Sequence, residues 1–163
     1  MTVTQDKISE YLEKYGNMAM RIAYTYLNSC EDAEDAVQDV FLRIMDSEPL
    51  FNDAEHEKAW FVRTTINICK NKLKLFWNRN TCSIDSVAEA SVYDKYGTDS
   101  EVLSAVMSLA DKYRITVYLY YYEGYSTPEI AKLTGRTETA VRSIMHRARK
   151  LLKDKLKEAY DFE

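Results

Sequence analysis

The sequence predicts an all-α protein of two small helical domains joined by a flexible acidic linker, the C-terminal domain being a helix-turn-helix. Helix breakers are scarce, with 4 Gly and 2 Pro in 163 residues, as is typical of helical chains. Apolar residues recur at helical spacing along most of the sequence. The periodicity is lost over residues 80–100, which are rich in Ser, Asp and Thr. We therefore expect domains over residues 1–79 and 101–163, with residues 80–100 as the linker.

Composition argues against several classes of protein. No apolar run approaches the ~18 residues of a membrane span, and the polar N-terminus does not resemble a signal peptide, so we expect a cytoplasmic protein without membrane insertion. Cys30, Cys69 and Cys82 are odd in number and lack CxxC spacing, which favours free thiols over a disulfide framework or a zinc site. With only His56 and His146 as histidines and no phosphate-cradling Gly loop, we expect neither an enzyme nor a bound metal or cofactor.

The charge is segregated along the chain. The net charge of −4 is unusual for a nucleic-acid binder. Residues 112–163, however, carry 11 basic and 7 acidic groups, and residues 58–79 hold six basic residues and no acid. Residues 81–111, between them, carry 1 basic and 6 acidic groups. Two basic segments flanked by acidic ones are compatible with nucleic-acid binding, because the local charge matters more than the sum.

The first domain begins with helices predicted over residues 6–28 and 31–46. The inward residues of the first include Leu12, and Asn28 begins a turn before the second. The second helix buries an apolar stripe and carries a second, outward row of residues. This row comprises Asp35, Gln38, Asp39, Leu42 and Arg43. A polar row with one leucine is usually a solvated face, but a protein-docking helix has the same pattern.

A basic helix follows the predicted loop at residues 46–57. It extends over about residues 58–77, and an arc about 100° wide on its wheel carries cations, amides and an aromatic residue. These residues are Trp60, Arg63, Asn67, Lys70, Asn71 and Lys74. Cations suit phosphates, amides suit base edges and a ring can stack on a base. A solvated basic face remains an equal alternative for this helix taken alone.

The second domain starts with a helix near Asp99. Residues 113–125 have strand propensity, but we predict a helix that ends at Gly124 with Ile115, Leu119 and Tyr122 inside, because no partner strand exists.

Residues 125–152 have the pattern of a helix-turn-helix. Ser126 and Glu129 form a capping box, and the short helix that they open stops at Gly135. Thr137 is a suitable N-cap for a second helix, whose apolar positions include Leu151. Its outward face is basic, with Arg142, Ser143, His146, Arg149 and Lys150. An amphipathic hairpin with a solvated basic face is the alternative.

These motifs, in this order, resemble the bacterial sigma-70 family of RNA polymerase sigma factors, and more narrowly its extracytoplasmic-function (ECF) group. The resemblance rests on three segments: DAEDAVQDVFLRI (residues 32–44), WFVRTTINICKNKL (residues 60–73) and the segment from Leu109 to Leu152. The resemblance implies a factor that binds core RNA polymerase and directs initiation from specific promoters. It also implies an anti-sigma partner.

The resemblance also implies residue roles. Asp35, Gln38, Asp39, Leu42 and Arg43 would face the β′ clamp of the polymerase, whose β flap would be a second partner. Trp60, Arg63, Asn67, Lys70, Asn71 and Lys74 would bind the unpaired −10 strand. Arg142, Ser143, His146, Arg147 and Arg149 would lie in or beside the major groove of the −35 element.

Two features depart from the family pattern. The segment from Met45 to Ala59 is long, and it carries Glu48, Asp53, Glu55 and Glu57 where the family tends to have an aromatic and a basic residue. The base preference of that segment is therefore open. Ala110 replaces a usual proline, which we expect to affect only a helix start. The alternative function is a one-component helix-turn-helix regulator, which would explain residues 101–157 but not the polar face at residues 60–74.

Overall fold

The computed structural model describes residues 4–79 and 100–160, and every regular element in these ranges is an α-helix. In chain order the helices are α1 (Gln5–Leu27), α2 (Cys30–Ser47), α3 (Ala54–Arg79), α4 (Ser100–Met107), α5 (Asp111–Tyr121), α6 (Thr127–Thr134) and α7 (Glu138–Tyr160). The all-α prediction is thus confirmed. The chain forms two compact units, and the boundary between them falls between residues 89 and 90. The predicted linker lies outside the described residues, apart from Ser100 at the start of α4.

In the first unit, α1, α2 and α3 pack against one another. Side-chain caps define where the first two helices begin: Thr4 accepts a hydrogen bond from the backbone N–H of Lys7 (3.2 Å), and Ser29 accepts one from that of Asp32 (3.2 Å). Both helices end at a residue with left-handed backbone, Asn28 and Glu48. The turn predicted at Asn28 is therefore present.

Phe61 is the centre of the first core. Its ring is fully buried and stacks on Tyr15 of α1 with the ring centroids 4.4 Å apart. It also contacts Tyr11 of α1 (5.2 Å) and Phe41 of α2 (5.7 Å). One side chain of α3 therefore contacts both other helices of the unit, and aromatic pairs in these geometries add to the free energy of burial.

The second unit packs α4, α5 and α6 against α7. The strand-prone segment at residues 113–125 forms α5, with Ile115 and Leu119 fully buried as predicted. Local strand propensity is overridden here because α5 buries its apolar side against α4, α6 and α7. Gly124 lies in the turn after the helix with φ of 75°.

Several predicted core positions prove to be exposed. Leu12 is 53% exposed, because Tyr11 and Tyr15 supply the inward face of α1 while Leu12 lies near Gly16. Tyr122 is 44% exposed, since α5 ends at Tyr121 and Tyr118 takes the inward place. Leu151 is also partly exposed. Among the side chains of α3 that the structure describes, Cys69 is the last buried one, and Leu75 further along the helix is exposed.

The loop predicted at residues 46–57 is shorter in the structure. Helix α2 continues to Ser47 and α3 begins at Ala54, so only residues 48–53 connect them. The prediction placed the start of the helix at Lys58 because apolar periodicity begins there, whereas the acidic first turn carries no such signal.

We expect Phe61→Ala to lower the free energy of unfolding of the first unit by about 3–5 kcal/mol, because it leaves a cavity among three packed helices. Urea unfolding followed by circular dichroism measures the change. Leu50→Ala is the matched control, since Leu50 is 92% exposed and its truncation should cost less than about 0.5 kcal/mol. Equal losses in the two variants would contradict the central place of Phe61.

Candidate nucleic-acid interface

Helix α6 and the start of α7 form the helix-turn-helix. At the N-terminus of α6, Ser126 Oγ accepts from the backbone N–H of Glu129 (3.3 Å) while Glu129 Oε1 accepts from that of Ser126 (2.9 Å). These reciprocal bonds are the predicted capping box. They also lower the pKa of Glu129, chiefly through the bond from the Ser126 backbone.

The turn between the two helices depends on Gly135 and Thr137. Gly135 adopts left-handed backbone (φ 73°) at the end of α6, a conformation that is costly for other L-residues. Thr137 Oγ1 then accepts from the backbone N–H of Ala140 (3.1 Å), which caps α7 as predicted. Ala131, Val141 and Ile144 are buried, and the two helices pack against each other. The spacing and the caps predicted from the sequence are all present.

The predicted −35 residues lie on the outer surface of α7. Arg142, Ser143, His146 and Arg147 are exposed, and the Arg142 guanidinium pairs with the carboxylate of Glu138 one turn earlier. Two further exposed residues were not predicted: Arg136, in the turn before α7, and Thr139, in the first turn of this helix. The position of Thr139 was a usable signal, because the first residues of a recognition helix are those that contact base edges.

Arg149 differs from the other residues of this set. Its Nε donates a hydrogen bond to the hydroxyl of Tyr121 (2.9 Å), 28 residues earlier in the chain. Its guanidinium carbon lies 5.3 Å from the ring centroid of Tyr120 and 5.9 Å from that of Tyr121. The bond to Tyr121 is the main reason why the pKa of Arg149 is raised above its ordinary value. The guanidinium is thus fixed against α5.

The polar face of α3 is brought together as predicted. Arg63, Asn67, Asn71 and Lys74 are exposed and Lys70 is partly exposed. Trp60 lies at one end of this face but is half-buried, because its ring makes edge contacts with Phe61 (5.0 Å) and with Phe51 (6.1 Å). Phe51, in the connection between α2 and α3, was not predicted to take part in this face. It also contacts His56 (5.4 Å).

Acidic residues before this face have structural roles. Asp53 caps α3, its Oδ1 accepting from the backbone N–H of His56 (2.8 Å). Glu55 and Glu57 lie in the first helical turn, where negative charge is favourable. The Glu57 carboxylate accepts from the Tyr15 hydroxyl (2.7 Å) and from Lys14 Nζ (3.1 Å), which links α3 to α1. Burial alone would raise the pKa of Glu57, but the bonds from Tyr15 and Lys14 outweigh it and the pKa is lowered.

The predicted docking row on α2 is largely exposed. Asp35, Gln38 and Arg43 face solvent, and Leu42 is 57% exposed. Asp39 is half-buried and pairs with Lys72 of α3 (3.0 Å), so its charge is already compensated within the unit. Met45, three residues after Leu42 and 46% exposed, extends the apolar part of the row and was not predicted.

A helix-turn-helix unit and a second helical unit with a face of cations and amides are the features expected of an all-helical DNA-binding protein. Residues 11–75 match the family described as Sigma-70 region 2, and residues 99–152 match Sigma-70, region 4. The two matches lie in the same order as the two units and together cover most of the chain. The chain belongs to the sigma-70 family of RNA polymerase sigma factors, in its ECF group.

Individual relatives agree with this assignment. RNA polymerase sigma factor SigV of Bacillus subtilis is 27% identical over 141 residues, which cover 83% of this chain and 82% of SigV. ECF RNA polymerase sigma factor SigE of Mycolicibacterium smegmatis is 26% identical over 159 residues, covering 90% of this chain but 60% of SigE. The fold is similar to that of the sigma factor RpoE, solved with the anti-sigma factor NepR from Bartonella quintana. The TM-score is 0.73 at 23% identity, over 94% of this chain and 98% of RpoE.

Within the helices that the structure describes, none is long and apolar enough to cross a membrane. The described residues also contain no group of three or more His, Cys, Asp or Glu side chains that could hold a metal ion.

The lowered pKa of Glu57 predicts a pH-dependent part of the stability. A carboxyl group whose pKa is depressed on folding stabilises the fold above its ordinary pKa of 4.5, and this contribution is lost as the pH falls through the folded-state value. We expect Glu57→Gln to cost about 1 kcal/mol at neutral pH and to reduce the loss of stability below pH 4.5. Urea midpoints at neutral and acidic pH measure both effects. The control Glu34→Gln, at an exposed position beyond the first turn of α2, should change neither, and an unaltered acid loss in Glu57→Gln would contradict the assignment.

Proposed function

We propose that this chain binds core RNA polymerase in the cytoplasm and directs it to promoters, as the two domains inferred from the sequence (residues 1–79 and 101–163) would do together. The observation that carries the proposal is that the two outward polar faces, on α3 and α7, lie in the segments matched by sigma regions 2 and 4. The one-component regulator is not favoured, because it accounts for only the second of these faces. The protein acts through binding, without a catalytic site of its own.

The face of α3 is assigned to the unpaired −10 strand. Asn67 and Asn71 offer amides to base edges, while Arg63, Lys70 and Lys74 offer cations to phosphates. Trp60 offers a ring edge rather than a free ring, since it is held by Phe51 and Phe61. Holding an extruded base costs a few kcal/mol, and side chains on a rigid helix can offset this cost because they are already positioned.

The outer surface of α7 is assigned to the −35 duplex. The first residues of a recognition helix contact base edges in the major groove. Thr139, Arg142 and Ser143 therefore suit base contacts, while Arg136 lies in the turn that precedes the helix. His146 and Arg147, one turn further on, would lie beside them.

The row on α2 is assigned to the β′ clamp of the polymerase. Leu42 and Met45 form an exposed apolar pair with Asp35, Gln38 and Arg43 around it, a pattern that suits a small docking surface with a polar rim. Asp39 contributes less than its neighbours because it is paired with Lys72. We assign the β flap to the second unit as a further partner. An anti-sigma factor, of the kind bound to RpoE in the solved complex, is proposed as the regulator.

Co-elution with core polymerase tests the central claim. Size-exclusion chromatography of the purified chain with its cognate core enzyme, without DNA, should give a complex at low micromolar concentration. Leu42→Glu should weaken the complex roughly tenfold or more, because it puts a charge on a side chain that the interface with polymerase would bury. Leu12→Glu is the control, since Leu12 has a similar exposure (53%) on another helix. If the folded wild-type chain does not bind core enzyme, the sigma function is wrong, whereas equal weakening in both variants contradicts only the α2 assignment.

Asn67→Ala should leave polymerase binding intact and reduce promoter opening, because the amide is needed only once the strand is unpaired. Permanganate reactivity of unpaired thymines, on a promoter selected from a random library by the holoenzyme, measures opening. Asn17→Ala, an exposed asparagine on α1, is the control. Unchanged opening in Asn67→Ala would remove the assigned role.

Arg142→Ala should lower affinity for the selected promoter by about 1–3 kcal/mol and relax its −35 preference. The measurement is a competition between native and scrambled −35 sequences. Lys155→Ala removes the same charge further along α7, where the side chain is exposed, and should leave the preference unchanged. An equal loss on both sequences in Arg142→Ala would make Arg142 a phosphate contact.

A further inference from the structure

The outer stripe of α7 extends well beyond the residues suited to base contacts. Arg142 and Arg149 are seven residues apart, which places them on the same helix face and about 10 Å apart along the axis. The major groove is about 8.5 Å deep. If α7 enters the groove with its N-terminal end first and Arg142 reaches the floor, Arg149 lies about one groove depth higher, at the level of the phosphates.

The surroundings of Arg149 give it a fixed geometry at that level. The rings of Tyr120 and Tyr121 meet edge to face, with an interplanar angle of 73° and centroids 4.9 Å apart, and the guanidinium contacts both. The hydrogen bond from Nε to the Tyr121 hydroxyl fixes the direction of the planar group. A long side chain that normally loses much rotamer entropy on binding is thus ordered beforehand.

The same contacts leave hydrogen-bond donors for an anion. A guanidinium has five N–H donors, so the bond to Tyr121 leaves donors on the terminal nitrogens for a second acceptor. The Tyr121 hydroxyl accepts from Arg149 and keeps its own hydrogen to donate. Tyr121 is 55% exposed, so DNA can approach this hydroxyl. The cluster therefore presents two kinds of donor beside a positive charge, which is the chemistry that a phosphate oxygen requires.

We propose that Arg149, Tyr120 and Tyr121 form a phosphate-binding site that takes one backbone phosphodiester of the −35 duplex. Arg149 and Tyr121 contact the phosphate, and Tyr120 is a positioning residue for the guanidinium. This site rests on the proposed function. It assigns Arg149 to a backbone phosphate, which it would contact whatever the DNA sequence, instead of to a base. It also places a residue of α5 on the DNA, outside the two helices of the helix-turn-helix.

Arg149→Ala should weaken binding of holoenzyme roughly tenfold, equally for native and scrambled −35 sequences, and lower the slope of log affinity against log salt by about one. Tyr121→Phe keeps the ring but loses the hydroxyl, and should give a smaller loss of the same kind. Arg149→Lys should recover only part of the affinity, because an ammonium lacks the planar contacts. Lys155→Ala, on another face of α7, should not reproduce the pattern.

A scan with single methylphosphonates, each neutralising one phosphate around the −35 element, supplies the sharpest test. One position should weaken the wild type and have no further effect on Arg149→Ala. Additive losses at every position, or a loss confined to the native sequence, would overturn the proposal. If Arg149 only joins α5 to α7, its replacement will lower the melting temperature without selecting one phosphate.

The test is separable from that of the proposed function. The salt dependence of binding can be measured with the free chain on any duplex at low salt, where phosphate contacts alone support binding, and Arg149→Ala should again lower the slope by about one. Failure to bind core polymerase therefore contradicts the sigma function, while a missing phosphate dependence of Arg149 contradicts this site.

Discussion

The orientation of α3 depends on the burial of Phe61. Because this ring packs on α1 and α2 together, the helix cannot rotate about its axis without exposing it. Arg63 and Asn67, two and six residues further on, are consequently turned to solvent. The bonds that Glu57 accepts from Tyr15 and Lys14 fix the same helix one turn earlier. The buried Phe61 ring and the hydrogen-bonded Glu57 carboxylate, on adjacent turns, thus set the direction of the polar face of α3. That face itself contributes little to stability.

In the second unit, different interactions orient the outward face of α7. Here the angle between the helices depends on a left-handed glycine, Gly135, and on the small Ala131 where α6 packs on α7. Side-chain caps at Ser126 and Thr137 define where each helix begins. The contact between Arg149 and the tyrosines of α5 then joins the outer stripe of α7 to a third helix. Position on the surface is again determined by groups that lie beneath it or beside it.

Local signals explain what the sequence predicts well. Helical periodicity located every described helix, including α5 against its strand propensity, and the caps and the turn of the helix-turn-helix follow from residue type alone. The partners of Glu57, Trp60, Asp39 and Arg149 could not be predicted in this way. Tyr15 and Glu57 are 42 residues apart, and such a pair is visible only when the faces of two helices are known. The acidic segment before α3 was misjudged for the same reason, because capping by Asp53 and pairing by Glu57 depend on where the helix starts.

The uneven distribution of charge along the chain bears on the function proposed for the two units. A chain of net charge −4 gains little from long-range attraction to DNA, so its cationic faces act only at short range. Each face is small, and a single helix-turn-helix without a second anchor binds duplex weakly. Attachment to a large enzyme would raise the apparent affinity for DNA, since a tethered module experiences an effective concentration in the millimolar range. An overall acidic chain with local basic faces therefore suits a protein that binds promoters only when it is attached to polymerase, and that avoids non-specific DNA when it is free.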